Sequence, residues 1–300
     1  MSDTLPGGRP AAVETPAPAD PRLDRLSLNQ WTTRGWTLEQ AVDGCVRHGI
    51  RSIGLWREKV AEHGPAAAAR LVADAGLRVS SLCRGGFLTG DDGNLDDNRA
   101  AVDEAAALGA ACLVLVVGGL PGVVPGGSPG GGLSRDLALA RERVARALDV
   151  LAPYAGERGV RLALEPLHPM YCADRAVLST LAQALDLADR HPVEQVGVVV
   201  DTFHVWWDPD VLAQIARAGD RIASYQVSDF LVPLPADVLL ARGMMGDGVI
   251  DFGPLTAAVR AAGYRGDVEV EIFNADVWAA DPDEVVATMK RRFVTEVPPM

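Results

Sequence analysis

From Leu26 almost to its end, the chain alternates short apolar runs with longer stretches of helical period. The short runs fall at 26–30, 52–56, 78–83, 112–117, 161–165, 196–201, 222–229 and 268–273. Continuous apolar character bounded by turn residues reads as strands covered on both faces. Between them, at 37–49, 66–76, 95–109, 135–155, 176–190, 210–219, 252–264 and 281–293, apolar residues recur three and four apart, as on an amphipathic helix. The first of these opens on Thr37, a capping residue, and closes on Gly49, which suits a left-handed helix end.

Eight strands, each followed by a helix, is the count of a (β/α)8 TIM barrel. A doubly wound open sheet is the rival. It needs a Gly-rich phosphate turn after its first strand, and N-Q-W-T-T-R-G-W stands there instead. The expected class is therefore α/β, a single TIM-barrel domain over residues 25–297. Residues 1–24 are rich in Pro, Ala and small polar groups and bury too little apolar area to offset ordering, so a disordered tail is expected there. The Gly-rich loop 118–133 lacks G-K-[ST] and is no Walker loop. Following the fourth strand, it reads either as a lid over the barrel mouth or as a plain insertion.

Composition narrows the function. A net charge of −12 argues against a duplex nucleic-acid binder and against an anionic membrane surface. Cys45, Cys83, Cys112 and Cys172 form no C-x-x-C pair, which argues against a disulfide framework and a structural zinc site and fits buried thiols in a reducing compartment. The N-terminus shows no basic region leading into an apolar core, and no apolar run is long enough to span a bilayer. A cytoplasmic protein with no membrane and no nucleic-acid partner is expected.

In a barrel, lumen-facing residues at the carboxyl ends of the strands build the active site. Strand five ends in Glu165, strand six in Asp201, strand seven carries Gln226 and strand eight carries Glu271. Three carboxylates cannot share a small dry space as ions without a compensating charge. A divalent cation held by Glu165, Asp201, Gln226 and Glu271 is the economical answer, and it gives a buried glutamine something to bind. Separate roles as caps and ion-pair partners are the alternative. Glu269 shares the parity of Glu271 and is expected deeper in the lumen, paired with Arg161.

The segments E-P-L-H-P, D-T-F-H, Q-V-S-D, G-D-G-V-I-D-F and V-E-V-E-I-F resemble those of the xylose-isomerase-like TIM-barrel superfamily of sugar phosphate isomerases and epimerases, over about Leu26 to Phe293. The resemblance implies one divalent metal ion on Glu165, Asp201 and Glu271, with Glu165 and Glu271 as catalytic acid and base. Where the epimerases most often carry His, this chain has Gln226, as some dehydratase-like members do. Oxygen ligation favours Mn2+ or Mg2+ over Co2+ or Zn2+. The implied substrate is a small polyol or keto-sugar, a sugar phosphate or a cyclitol included, with His168, His204 and Arg242 in contact with it. Trp56, at the end of strand two, is a further candidate contact; with Trp31, Trp206 and Trp207 it falls at or just past a strand end and forms either an aromatic wall around the substrate or packing under the loops. Asn29 and Arg84 are candidates for further contacts.

The implied reaction is isomerisation or epimerisation through an enediolate. Dehydration, of the 3-dehydroshikimate or inosose dehydratase type, is the alternative. An AP endonuclease would need more histidines than the five present and a basic face. A non-catalytic binding protein stands as a fourth reading. A homo-oligomer is expected by family analogy.

Overall fold

Each apolar run contains a barrel strand in the computed structural model, which describes residues 15–123 and 132–300. The strands are β1 (Leu26–Asn29), β2 (Ser52–Trp56), β3 (Arg78–Gly86), β4 (Leu113–Val116), β5 (Leu162–Leu164), β6 (Val196–Asp201), β7 (Ile222–Val227), β8 (Asp229–Phe230), β9 (Arg242–Gly243) and β10 (Val268–Val270). Eight of them close a parallel barrel in the order β1-β10-β7-β6-β5-β4-β3-β2. The other two, β8 and β9, pair antiparallel outside it as a separate ribbon. The run expected as one strand over 222–229 therefore breaks at Ser228, where the chain leaves the barrel.

Among the described residues, eight helices of eight or more residues cover the barrel at the expected stretches, from Leu38–His48 to Pro282–Glu296, although the one expected over 176–190 forms only at Leu181–Ala188. Local chemistry sets their ends. Thr37 Oγ1 accepts the Gln40 N–H while Gln40 Oε1 accepts the Thr37 N–H, and Gly49 takes a φ of 72° to stop the helix. Residues on the outward parity of the strands, such as Leu26, Leu28, Val198, Val200, Val268 and Val270, join one continuous apolar cluster with the helices. Removing this surface from water is the main driving force for closure.

The inward parity is different. Cys83, Cys112, Val114, Ala163 and Val199 form a second, small cluster. Beside it lies a polar layer. Ser27 Oγ and Ser80 Oγ are 2.7 Å apart, and Ser80 and Ser81 both donate to Glu269. Because β1, β3 and β10 supply these groups, they meet inside the barrel. Glu269 thus has hydroxyl and amide partners, and the expected pairing with Arg161 does not form. Arg161 instead donates to the Asp220 carbonyl. A Cβ on Gly54 would collide with the Glu269 carboxylate, so β2 must be glycine at this level.

Two expectations fall partly outside the described residues, and one of them changes. Of the tail expected at 1–24, residues 1–14 lie outside the described residues. Residues 15–24, however, include a 3-10 turn at Pro21–Leu23 whose Leu23 is buried in the core, so packed chain begins before β1. Of the loop at 118–133, residues 124–131 also lie outside the described residues. No helix among the described residues is long and apolar enough to cross a membrane.

Candidate active site

At the carboxyl end of the barrel, register brings the polar strand ends to one level. Asp201 on β6 stands opposite Gln226 on β7, and Gln226 stands opposite Glu269 on β10. Glu271 lies two residues further along, one layer higher on the same inward parity. Glu165 follows β5 directly, and its N–H donates to the Leu115 carbonyl. All four expected ligands are buried, with Gln226 1% exposed.

The strand-seven ribbon supplies the missing charge. Arg242, on β9, donates from Nη1 to Asp201 Oδ2 at 2.8 Å and to Ser228 Oγ at 3.0 Å. Its Nη2 stands 3.2 Å from Glu271 Oε2. Asp229, the last residue of Q-V-S-D, holds this ribbon in place. Its two carboxylate oxygens accept the N–H groups of Phe230, Gly246, Gly248 and Ile250. The acid in the motif thus fixes the loop that delivers the arginine.

Asp201 divides its oxygens. Oδ1 accepts the Phe203 N–H and caps the short helix Thr202–Val205, while Oδ2 faces the site. The cap role weighed against ligation in the sequence is therefore present together with the site role. An oxygen of Glu165, an oxygen of Asp201 and a ring nitrogen of His204 all lie within 4.8 Å of one another. Glu271 is outside that tight set and is tied to it through Arg242.

Burial dominates the electrostatics. Glu165 is pushed well above the usual carboxylate range by burial, then by the nearby Glu271 and Asp201. Glu271 is raised to about 8 by burial, with Arg242 opposing the shift. Asp201 is raised by burial against the pull of Arg242. His204 is held well below its ordinary value by burial and by the Arg242 charge, so its ring is neutral. Its Nδ1 stands 3.1 Å from the His168 N–H, a donor. Nε2 faces Arg242 Nη2, another donor, at 2.9 Å. A neutral ring accepts from only one of these two donors.

The donor set fits a divalent cation. Three ionised carboxylates and one guanidinium would leave a net charge of −2; burial instead raises Glu165 and Glu271, and a divalent cation would let them ionise. The Gln226 amide also has no hydrogen-bond partner at either Oε1 or Nε2. A buried amide left bare costs free energy unless something occupies it.

Above the acids opens a cavity of about 440 Å3 lined by Glu165, His204, Arg242, Glu271 and an aromatic wall. Trp31 and Trp56 stack with centroids 4.5 Å apart, and Phe273 packs edge-on against Trp56 at 5.7 Å. Trp56 thus lies at the site as expected, as do His204 and Arg242. His168 is not brought there. Its Nδ1 accepts the Met170 N–H and its ring packs between Trp207 and Phe230. Trp206 packs on Phe230, and Trp207 donates to the His204 carbonyl, so neither joins the wall. Phe273, Trp278, Tyr171, Arg34 and Arg175 line the cavity without having been singled out in the sequence. Phe273 was legible, because it continues the inward parity of Glu269 and Glu271. The others sit on loops and short helices with no period to follow.

A closed parallel barrel with its polar site at the carboxyl ends of the strands defines a (β/α)8-barrel protein of the enzyme-like kind. The chain belongs to the xylose isomerase-like TIM barrel family, whose profile matches residues 42–293. Among curated relatives, a 3-dehydroshikimate dehydratase of Pseudomonas putida is 33% identical over 140 residues, 44% of this chain and 21% of that protein. An inosose isomerase of Bacillus subtilis is 27% identical over 50% of this chain and 51% of its own length. The chain thus spans about a fifth to a half of these curated relatives, which are enzymes.

Among solved structures, protein SMc04130 from Sinorhizobium meliloti 1021 is 47% identical with a TM-score of 0.85, covering 92% of this chain and 99% of its own. An IOLI protein, solved with a bound zinc atom, is 21% identical with a TM-score of 0.76, covering 91% and 98%, and shares the fold.

Proposed function

We propose that the protein is a divalent-metal-dependent isomerase or epimerase of a hydroxylated ketone, a sugar, sugar phosphate or cyclitol. The observation that carries this reading is the bare, buried amide of Gln226 beside three buried carboxyl groups. Glu165, Asp201, Gln226 and Glu271 are the residues that would hold the ion, with the oxygen-rich set favouring Mn2+ or Mg2+. Bound there, the ion supplies Lewis acidity at a carbonyl oxygen.

The chain's own groups do the rest. Glu165 and Glu271 come from β5 and β10, with β6 and β7 between them, so they reach a substrate from two sides. One takes the proton from the carbon next to the carbonyl. The other returns a proton to the opposite face, giving an epimer, or to the neighbouring carbon, giving an isomer. Arg242 donates to the oxygen on which negative charge grows. The Trp31–Trp56 wall excludes water from one side of the cavity.

A second reading is a dehydratase. Gln226, which the resemblance places where epimerases most often carry His, and the Pseudomonas relative's name favour it. After the same proton removal, a hydroxyl on the next carbon leaves with a proton as water.

Protein loaded with Mn2+ and given a panel of ketoses, inososes and 3-dehydroshikimate in deuterated water separates the two by NMR. Deuterium gained next to the carbonyl without loss of water supports isomerase or epimerase chemistry. Dehydrated product supports the second reading. Neither, with Glu165→Gln indistinguishable from the parent, removes both.

A further inference from the structure

The cavity carries more positive charge than the proposed chemistry uses. Besides Arg242, it is lined by Arg34, Arg84 and Arg175. In a chain where acidic residues outnumber basic ones by 40 to 28, carboxylates are plentiful. Arg57, next along the barrel rim, takes two of them, Asp97 and Glu104. Arg84 takes none. Among the described residues its guanidinium makes no ion pair, and its recorded contact is the Phe87 ring, 4.4 Å from the centroid. Among the described residues Arg175 pairs with its sequence neighbour Asp174, at 3.6 Å, and lies over the Tyr171 ring, 5.9 Å from the centroid.

Arg84 is also set at a junction. A second cavity of about 240 Å3 shares Trp56, Cys83, Arg84 and Phe87 with the first, so there is room beside the guanidinium for a substituent. Burial weakens the hold of Arg84 on its proton, against the opposing pull of Cys83 and Glu58 and with Arg175 and Arg57 adding to it. A half-buried planar fork of donors without a protein partner matches a carboxylate or a phosphate.

We propose that Arg84 and Arg175 form the seat of an anionic substituent, a carboxylate or a phosphate, on the substrate whose carbonyl end faces Glu165 and Glu271. This rests on the acid–base reading of the site and narrows its substrate class: neutral sugars would leave the arginine seat empty.

Calorimetry on the full chain loaded with Mn2+ tests it with three probes. These are quinate, a ring polyol with a carboxylate; myo-inositol 1-phosphate; and neutral myo-inositol. At least one anionic probe is expected to bind about tenfold or more tighter than myo-inositol, as one charge-assisted contact predicts. Arg84→Gln is expected to erase that preference while leaving myo-inositol binding within about twofold. Preference for quinate assigns a carboxylate, and preference for the inositol phosphate assigns a phosphate. Equal binding of all three probes overturns the proposal, as does a preference that survives Arg84→Gln.

If Arg84→Gln fails to fold by circular dichroism, Arg175→Gln takes its place, and an unchanged preference there overturns the proposal too. Mn2+ uptake by the parent and by Glu165→Gln is measured separately by electron paramagnetic resonance. Absent uptake defeats the metal-dependent reading, while the anion preference of the metal-free chain still judges Arg84.

Discussion

Asn29 offers the sharpest test of how the site is held. Fully buried at the end of β1, it makes four contacts with one side chain. Its amide donates to Glu269 Oε1 at 2.6 Å and to Glu271 Oε1 at 3.0 Å. Its carbonyl oxygen accepts the Trp31 N–H at 2.9 Å and the Trp56 indole N–H at 3.0 Å. A single amide thus ties a deep carboxylate, a rim carboxylate and the aromatic wall together, with donors and acceptors correctly divided. Asn29→Ala strands two carboxylate oxygens and two N–H donors. A hydrogen bond to a charged group contributes about 1.5–3 kcal/mol and a stranded neutral donor costs about 1–3 kcal/mol.

The four are not additive, and water entering from the cavity repairs part of the loss. The expected net cost is about 3–5 kcal/mol. For a chain of this size each kcal/mol moves Tm by about 2–4 °C, so a drop of about 10 °C is expected. Asn29→Asp is nearly isosteric but turns the donor face into a third carboxylate against Glu269 and Glu271, and it should be worse than Ala at neutral pH. The assay is thermal unfolding of metal-free protein by far-UV circular dichroism, with urea unfolding as a check. An Asn29→Asp variant as stable as the parent would show that the bridge is not what fixes Glu271.

Gln226→Ala should leave the metal-free protein as stable as the parent or better, since the amide makes no bond within the protein, yet weaken Mn2+ binding about tenfold or more in calorimetry. Equal Mn2+ affinity would remove Gln226 from the ligand set. The raised Glu271 carboxyl fixes a pH window. Because its value in the fold is about 8, above the ordinary carboxylate range, its contribution to metal-free stability is present at low pH and lost as pH rises through about 8. Over the same window cation affinity should rise with release of protons, read as a buffer-dependent heat of Mn2+ binding between about pH 6 and 9. A heat independent of buffer contradicts that assignment. Gly54→Ala should cost about 1–3 kcal/mol in urea unfolding, because its Cβ drives into the Glu269 carboxylate. A neutral result would mean that Glu269 can move aside.

Local periodicity determined most of the architecture. Eight apolar runs and eight helical stretches translate into eight barrel strands and eight covering helices because two-residue and 3.6-residue repeats are properties of the backbone itself. The inward parity at strand ends likewise placed Glu165, Asp201, Gln226 and Glu271 around one mouth, with no knowledge of register needed beyond closure of the barrel. Tertiary structure decided the partners. Glu269 met Asn29, Ser80 and Ser81 rather than Arg161, because residues far apart in sequence share the lumen floor.

His168, one turn past Glu165, was rotated toward Trp207 and Phe230, since a loop residue has no strand to fix its direction. Arg242 reached the acids only because the β8–β9 ribbon, pinned by Asp229, folds it back over β7. A sequence states which faces exist along each element. Which side chains meet across the closed barrel depends on distances that only the assembled fold sets.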